Sequence, residues 1–401
     1  MPVTILNTGT FNGTGTSAPA GLAAASGAGS AASMFVLGTT KPDATNTGYA
    51  MAGYTSGSLT DNTPASPGYL YTISANNTVV QGLRIHGRVV ITGNNCTLKG
   101  CHIVGHLNMA YSSPYGLVNS SGTGNTIDSC EISLWDTSAS TDNSAGFNGS
   151  TDTYWPVGVY MTTGSCTVSR CDIHDVNDAT YCIGGTHTVQ GCYLHDPMFR
   201  NDDGDQSGSS PAYWSHNDGF QIMGGTGHVC NGNAFDWKFS DNTGMNRSGT
   251  GTVGSFGSGN PNPSSTAEQV WVNGHGVILQ TYNAAVSNVT ISNNWFRYGS
   301  CPIRFTPGNF DPGGAVTVTG NRFTPDQGVE FSQYVQIRID PVSSWNSPAP
   351  TIDSTNVYSS DSDTPSGARG TTISALTGTS VKISAYSSSA HTGNVPLSLT
   401  P

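Results

Sequence analysis

The sequence predicts an all-β chain wound as a right-handed parallel β-helix, and three observations carry that prediction. The first is a seven-residue skeleton. It runs apolar or β-branched, apolar, two polar or small residues, Cys or Asn, any residue, then Ile, Leu or Phe. Copies begin at Thr97, Thr126, Thr167, Thr188, Val229, Thr290 and Thr317, and a looser one begins at Val79. The second is spacing: counted at residues 80, 98, 127, 168, 189, 230, 291 and 318, five of the seven steps lie near multiples of roughly 20. The third is a short apolar run ahead of each copy, as in Gly158-Val-Tyr-Met, Gly219-Phe-Gln-Ile-Met and Gly276-Val-Ile-Leu. Short strands at a fixed period cannot bury a face alone, but stacked parallel coils enclose one core. Sandwiches and up-and-down barrels require hairpins at about 8–12 residues, half this period. The right hand follows from the general crossover preference.

Composition supports the same class. Only 10% of the 401 residues are charged, while Gly and Pro number 51 and 21, so long helices are not expected. A formal charge of −11 argues against nucleic acid or an anionic membrane as partner. No stretch is apolar enough to span a bilayer. The opening Met1-Pro-Val-Thr-Ile-Leu-Asn lacks the basic and apolar regions of a secretory signal, which implies synthesis in a cytoplasm without N-terminal export.

Taken in order, residues 1–35 are a Gly/Ala/Ser/Thr-rich arm, 36–340 hold a lead-in and the β-helix, 341–370 form a Ser/Thr/Pro/Gly linker, and 371–401 suit a small β tail. Insertions at about 136–155, 197–216 and 238–268 interrupt the coil. Loops on a rigid solenoid are where binding surfaces are built. Cys101, Cys130, Cys171 and Cys192 share the fifth skeleton position, and Asn233, Asn294 and Asn321 replace them there. Stacked in register, they predict a buried thiol ladder continuing into an amide ladder. No pairing of Cys-x-x-Cys units suggests zinc.

Several polar residues fall at matching positions. Glu131, Asp172 and Tyr193 occupy the sixth position; His174, His195 and Asp236 follow two residues later, then Asp175, Asp196 and Trp237. If Ile132, Ile173 and Leu194 point inward, alternation sends this set outward. Such a strip is either a solvated polar ladder or, with Tyr160, Trp155 and Trp214 nearby, a surface that holds sugar and moves protons. Asp203, Asp205 and Ser207 place oxygens at alternate positions of a Gly-bearing loop, as a Ca²⁺ site requires, although an acidic loop reads the same way. Ser215-His-Asn-Asp-Gly-Phe-Gln puts His216 and Asp218 ahead of a strand, expected near Asp175 and Asp196 on adjacent coils. Two carboxylates about 5–9 Å apart serve glycoside hydrolysis, and Asn-Asp-Gly is equally an ordinary turn. Gly274-His-Gly276 reads as a backbone turn rather than a catalytic element.

These residues together resemble a known group. The Lys41-Pro-Asp-Ala-Thr-Asn-Thr-Gly48 entry, Val289-Thr-Ile-Ser-Asn-Asn-Trp-Phe and His216-Asn-Asp-Gly-Phe-Gln are similar to right-handed parallel β-helix proteins of actinobacteria and to minor tail proteins or tailspikes of their phages. The resemblance covers about residues 36–340. It implies a virion tail component that binds host envelope polysaccharide, contacts other tail proteins and forms a homotrimer. The first alternative is a glycan-cleaving enzyme, hydrolase or lyase, carried by the strip of Asp175, Asp196, His216 and Asp218; the second is a purely structural virion protein. No cofactor beyond the Ca²⁺ candidate is implied. The chain departs from the polygalacturonase pattern: Gly-His-Gly is present, but Asn-Thr-Asp is not, and Arg304 is followed by Phe and Thr.

Overall fold

Each skeleton copy folds as two strands joined by a corner. A computed structural model describes residues 35–65, 69–105, 116–134, 157–197, 217–237, 275–297, 302–306, 314–323, 337–339, 350–352, 355–359 and 368–372. In one copy, Ser165–Ser169 and Asp172–His174 are strands on either side of Arg170 and Cys171. The fourth skeleton position has φ between 52° and 67° in all eight copies. Gly occupies five of these corners, where a side chain would strain the left-handed backbone.

The apolar run ahead of the skeleton completes each coil. Three strands per coil build three sheets, which among the described residues have nine, nine and eleven strands with the coil-to-coil pairings parallel. The first sheet carries Val157–Met161, the second Ser165–Ser169 and the third Asp172–His174, each aligned with its counterpart one coil away. Thus Val168 sits between Ile127 and Val189, and Ile173 between Ile132 and Leu194. The chain is a right-handed parallel β-helix. Among the described residues no helix is long and apolar enough to cross a membrane.

The coil runs farther than the sequence suggested. Thr351–Ile352 and Val357–Ser359 join the second and third sheets, so the winding continues past residue 340. The signal was hidden because Ile352 and Asn356 are four residues apart, where Val318 and Asn321 are three. Ala368–Thr372 then pairs antiparallel with Val357–Ser359 at one end of the third sheet, and Thr60–Asn62 pairs with Leu83–His86 at the other. Among the described residues these two short strands are the outermost of the third sheet.

Inside, the seventh-position column is Ile85, Ile103, Ile132, Ile173 and Leu194, then Phe235, Phe296 and Phe323, all buried. The phenylalanines stack at 4.8 and 5.2 Å between ring centroids. The thiol-to-amide change falls at the same coil, between Cys192 and Asn233. Each Asn side chain bonds to the next: Asn233 Nδ2 to Asn294 Oδ1 at 3.0 Å, Asn294 Nδ2 to Asn321 Oδ1 at 2.9 Å, and Asn321 Nδ2 to Asn356 Oδ1 at 2.9 Å. Each Oδ1 also accepts the backbone N–H of the preceding ladder residue, starting with Cys192.

The cysteines do part of the same work. Asn233 Nδ2 donates to the carbonyl of Val189, the second skeleton residue one coil back; Cys192 Sγ reaches Val168 O at 3.6 Å and Cys171 Sγ reaches Ile127 O at 3.5 Å. The thiol column is therefore a weak-donor version of the amide column rather than a purely apolar filler. All eight described cysteines are buried and free.

The second sheet buries a different pair. His187 and His228 are fully buried, with rings 5.5 Å apart. Burial pushes His187 down, and burial with the neighbouring His187 pushes His228 down to about 4. Both rings are neutral at pH 7, so their contribution is whole above the ordinary value of 6.5 and is lost as pH falls toward 4. Denaturant titrations should show His228 alone removing roughly 3 kcal/mol over that window, and His228→Leu should flatten the acid limb.

The lead-in packs along the corner between the second and third sheets. Gly48 N–H donates to Arg170 O at 2.9 Å, the Tyr49 ring lies 5.7 Å from that of His102, and Thr60 N–H donates to Gly82 O at 3.0 Å. A Cβ on Gly100 would stand 2.6 Å from the Tyr54 ring, and one on Gly232 would stand 2.8 Å from Leu37. These corner glycines answer two demands at once: a left-handed turn and a bare surface for the lead-in.

Candidate functional site

Two polar constellations emerge, on different sheets. On the outer face of the third sheet the register pairs Glu131, Asp172 and Tyr193, and beside them Ser133, His174, His195 and Asp236. The expected strip is therefore assembled as the alternation indicated. His195 lies between two carboxylates, with Nδ1 2.8 Å from Asp196 and Nε2 2.7 Å from Asp172. His174 has Nδ1 2.9 Å from Asp175 and Nε2 3.6 Å from Glu131. Burial opposes the charge on both rings, but the carboxylates outweigh it, raising His174 well above its ordinary value and His195 to about 9. Burial opposes the charge on Asp172 as well, yet the His195 hydrogen bond and nearby imidazoles lower it. Tyr193 stacks on His195 at 4.0 Å, and His195 on His174 at 4.9 Å. Each ring thus covers part of its neighbour.

Alternation fails at the corner that follows. Asp175 and Asp196 turn with φ of 52° and 44°, whereas Trp237, expected outside with them as a sugar platform, is 1% exposed. Its ring packs edge-on to Phe235, and Nε1–H donates to Asn217 O at 2.8 Å. A bulky indole is disfavoured in a left-handed turn, so the ring is placed in the core and its one donor is satisfied.

The second constellation sits where the third sheet passes to the first. The long insertions all enter at this corner, between Ser133 and Val157, His195 and Asp218, and Asp236 and His275. Asp218 is not on the strip with Asp175 and Asp196. It starts a first-sheet strand and is fully buried, as is Asp178 one coil back. Asp178 Oδ1 accepts the Asp218 backbone N–H at 2.8 Å; Asp218 Oδ1 accepts both the His275 backbone N–H at 3.1 Å and its Nδ1–H at 2.8 Å. Arg304, one coil farther, brings Nη1 to 3.5 Å from His275 Nε2. His275, read from Gly274-His-Gly276 as a turn, is instead the partner of Asp218. Their separation of 57 positions conceals that pairing in the sequence.

Just outside this corner, Tyr160, Tyr181, Gln221, Ile278 and Arg304 stand in register along the first sheet; Gln221 and Ile278 are buried, and Gln221 Nε2 donates to Gln280 Oε1 at 2.7 Å. Tyr160 and Tyr181 are partly exposed and stack at 5.4 Å. Burial, followed by the nearby Asp178, raises Tyr181, so its hydroxyl keeps its proton. Tyr181 and Gln221 were not anticipated; the signal was their shared offset from Tyr160 in the apolar run. The remaining expected residues, Trp155, Trp214, His216 and the Ca²⁺ candidates Asp203, Asp205 and Ser207, lie outside the described residues.

No protein-family model and no curated protein matches the chain. Among solved structures, it is similar to a GH136 lacto-N-biosidase from Eubacterium ramulus, at 10% identity and a TM-score of 0.26. It is also similar to the Dettilon tailspike protein, at 13% identity and a TM-score of 0.22. Each alignment covers 72% of this chain and 62% of the other. The parallel coil itself establishes the architecture.

Proposed function

We propose that the chain binds a polysaccharide along the first sheet beside the loop-bearing corner, as a component of a virion tail. The observation that carries this reading is the stacked, partly exposed pair Tyr160 and Tyr181 on consecutive coils, about 4.8 Å apart, with the partly exposed Arg304 on the same line three coils beyond Tyr181. A solenoid flank of this kind suits an extended, hydroxyl-rich chain. With a formal charge of −11, a neutral glycan is favoured over a polyanion. Tyr160→Ala and Tyr181→Ala should each weaken binding of the host envelope polysaccharide about tenfold or more in calorimetric titration. Unchanged affinity in both would remove this face from the site.

A hydrolytic reading is favoured by one observation, the Asp178–Asp218–His275 line at the corner where the insertions enter. In it, two carboxyl groups on consecutive coils supply the pair that such hydrolysis needs, Asp218 beside the two N–H groups of His275 as the base toward water and Asp178 as the acid toward the leaving glycosidic oxygen. The full burial of both carboxylates, and their engagement in coil-to-coil bonds, favours binding without cleavage.

A further inference from the structure

The third-sheet strip gathers metal-binding atoms at one point. Asp172, His174 and His195 each offer a ligand atom, and the three atoms lie within 4.8 Å of one another. They come from two consecutive coils: Asp172 and His174 share a strand, and His195 stands directly beside His174. None is on a floppy element, and all three are mostly buried.

The surroundings of the two rings point the same way. Nδ1 of His174 is fixed by Asp175 at 2.9 Å, and Nδ1 of His195 by Asp196 at 2.8 Å. Metal-bound histidines characteristically give their second ring N–H to a carboxylate, which sets the ring orientation and makes the ligating nitrogen more basic. Here that support is built twice, by the residue after each histidine, and it leaves both Nε2 atoms facing Asp172 and Glu131.

Charge is consistent with a cation. Glu131, Asp172, Asp175 and Asp196 surround two imidazoles in this cluster, with His102 at its margin, 3.3 Å from Glu131. Two imidazoles and a carboxylate suit a first-row transition ion, whereas Ca²⁺ and Mg²⁺ prefer oxygen.

We propose that Asp172, His174 Nε2 and His195 Nε2 bind one divalent transition ion, with Zn²⁺ as the first candidate, and with a fourth position facing Glu131. The ion clamps two coils together beneath the lead-in, where Gly48 lies against Asp172: a Cβ there would stand 3.3 Å from Asp172 Cβ. This site is separate from the proposed glycan face on the first sheet, so each can fail without the other.

The test uses the full chain, stripped with chelator and titrated with Zn²⁺ by calorimetry and with Co²⁺ by visible absorption. One equivalent of each per chain is expected, with Co²⁺ bands of four- or five-coordinate nitrogen/oxygen ligation that Zn²⁺ abolishes. His174→Gln with His195→Gln should lose that equivalent. Asp175→Asn, which leaves all three ligands in place, should retain it with about 10–100-fold weaker affinity. No uptake of either metal by the folded wild type would overturn the proposal. So would a full equivalent retained in the double variant, or an Asp175→Asn affinity equal to wild type. Should the double variant not fold, the wild-type Co²⁺ spectrum and the Asp175→Asn affinity still decide.

Discussion

Asn294→Ala is expected to cost about 4 kcal/mol, among the largest losses available to a single side chain in this coil. Asn294 Oδ1 accepts from the Asn233 backbone and side chain, while Nδ2 donates to Cys230 O and Asn321 Oδ1. Alanine leaves buried donors on one side and acceptors on the other without water to replace the amide. Cys171→Ala, one ladder position in the thiol half, should cost only about 1 kcal/mol, because a thiol donates weakly. Asn294→Cys should fall between the two, since it keeps a donor toward Cys230 O and loses the acceptor for Asn233. Denaturant midpoints of the three variants check the order. Equal losses in the two halves would mean that the amide ladder adds nothing beyond packing.

Gly276→Ala and Gly219→Ala should each destabilise the chain by about 3 kcal/mol through overpacking. A Cβ on Gly219 would stand 2.3 Å from Phe235 Cδ1 and 2.5 Å from Gly276 O; one on Gly276 would stand 2.5 Å from Phe296 Cδ1. The phenylalanine stack fills the space over these strands, so the requirement is room rather than an unusual backbone angle. Phe235→Leu should recover part of the Gly219→Ala loss. The recovery stays incomplete because the Gly276 carbonyl cannot retreat without breaking the coil. Additive effects of the two substitutions, measured by denaturant titration, would contradict this packing account.

Much of the fold was legible because a β-helix writes its period into the chain. The second and seventh skeleton positions point inward, the fourth turns, and the fifth stacks, so each coil repeats the same demands. What the sequence could not display is contact between residues with no common period. The lead-in has no repeat, so its course along the corner glycines was invisible. Asn356 was missed because one added residue moved it out of register. Trp237 was misplaced because alternation describes strands and stops at corners. The strip of Glu131, Asp172, His174 and His195 came from alternation alone, yet the fixing of both Nδ1 atoms by Asp175 and Asp196 depends on left-handed turns that composition does not announce. Asp218 was singled out for its motif, but its partners Asp178 and His275 emerge only when coils are stacked.

The most direct test of the glycan-binding account is incubation of the purified chain with host envelope polysaccharide, followed by size-exclusion profiles of wild type and Asp218→Asn. The account predicts that the polysaccharide elutes with the protein at unchanged chain length in both cases. Shortened products formed by wild type and not by Asp218→Asn would contradict it in favour of hydrolysis at the Asp178–Asp218–His275 corner. No association with either protein would contradict the polysaccharide reading itself.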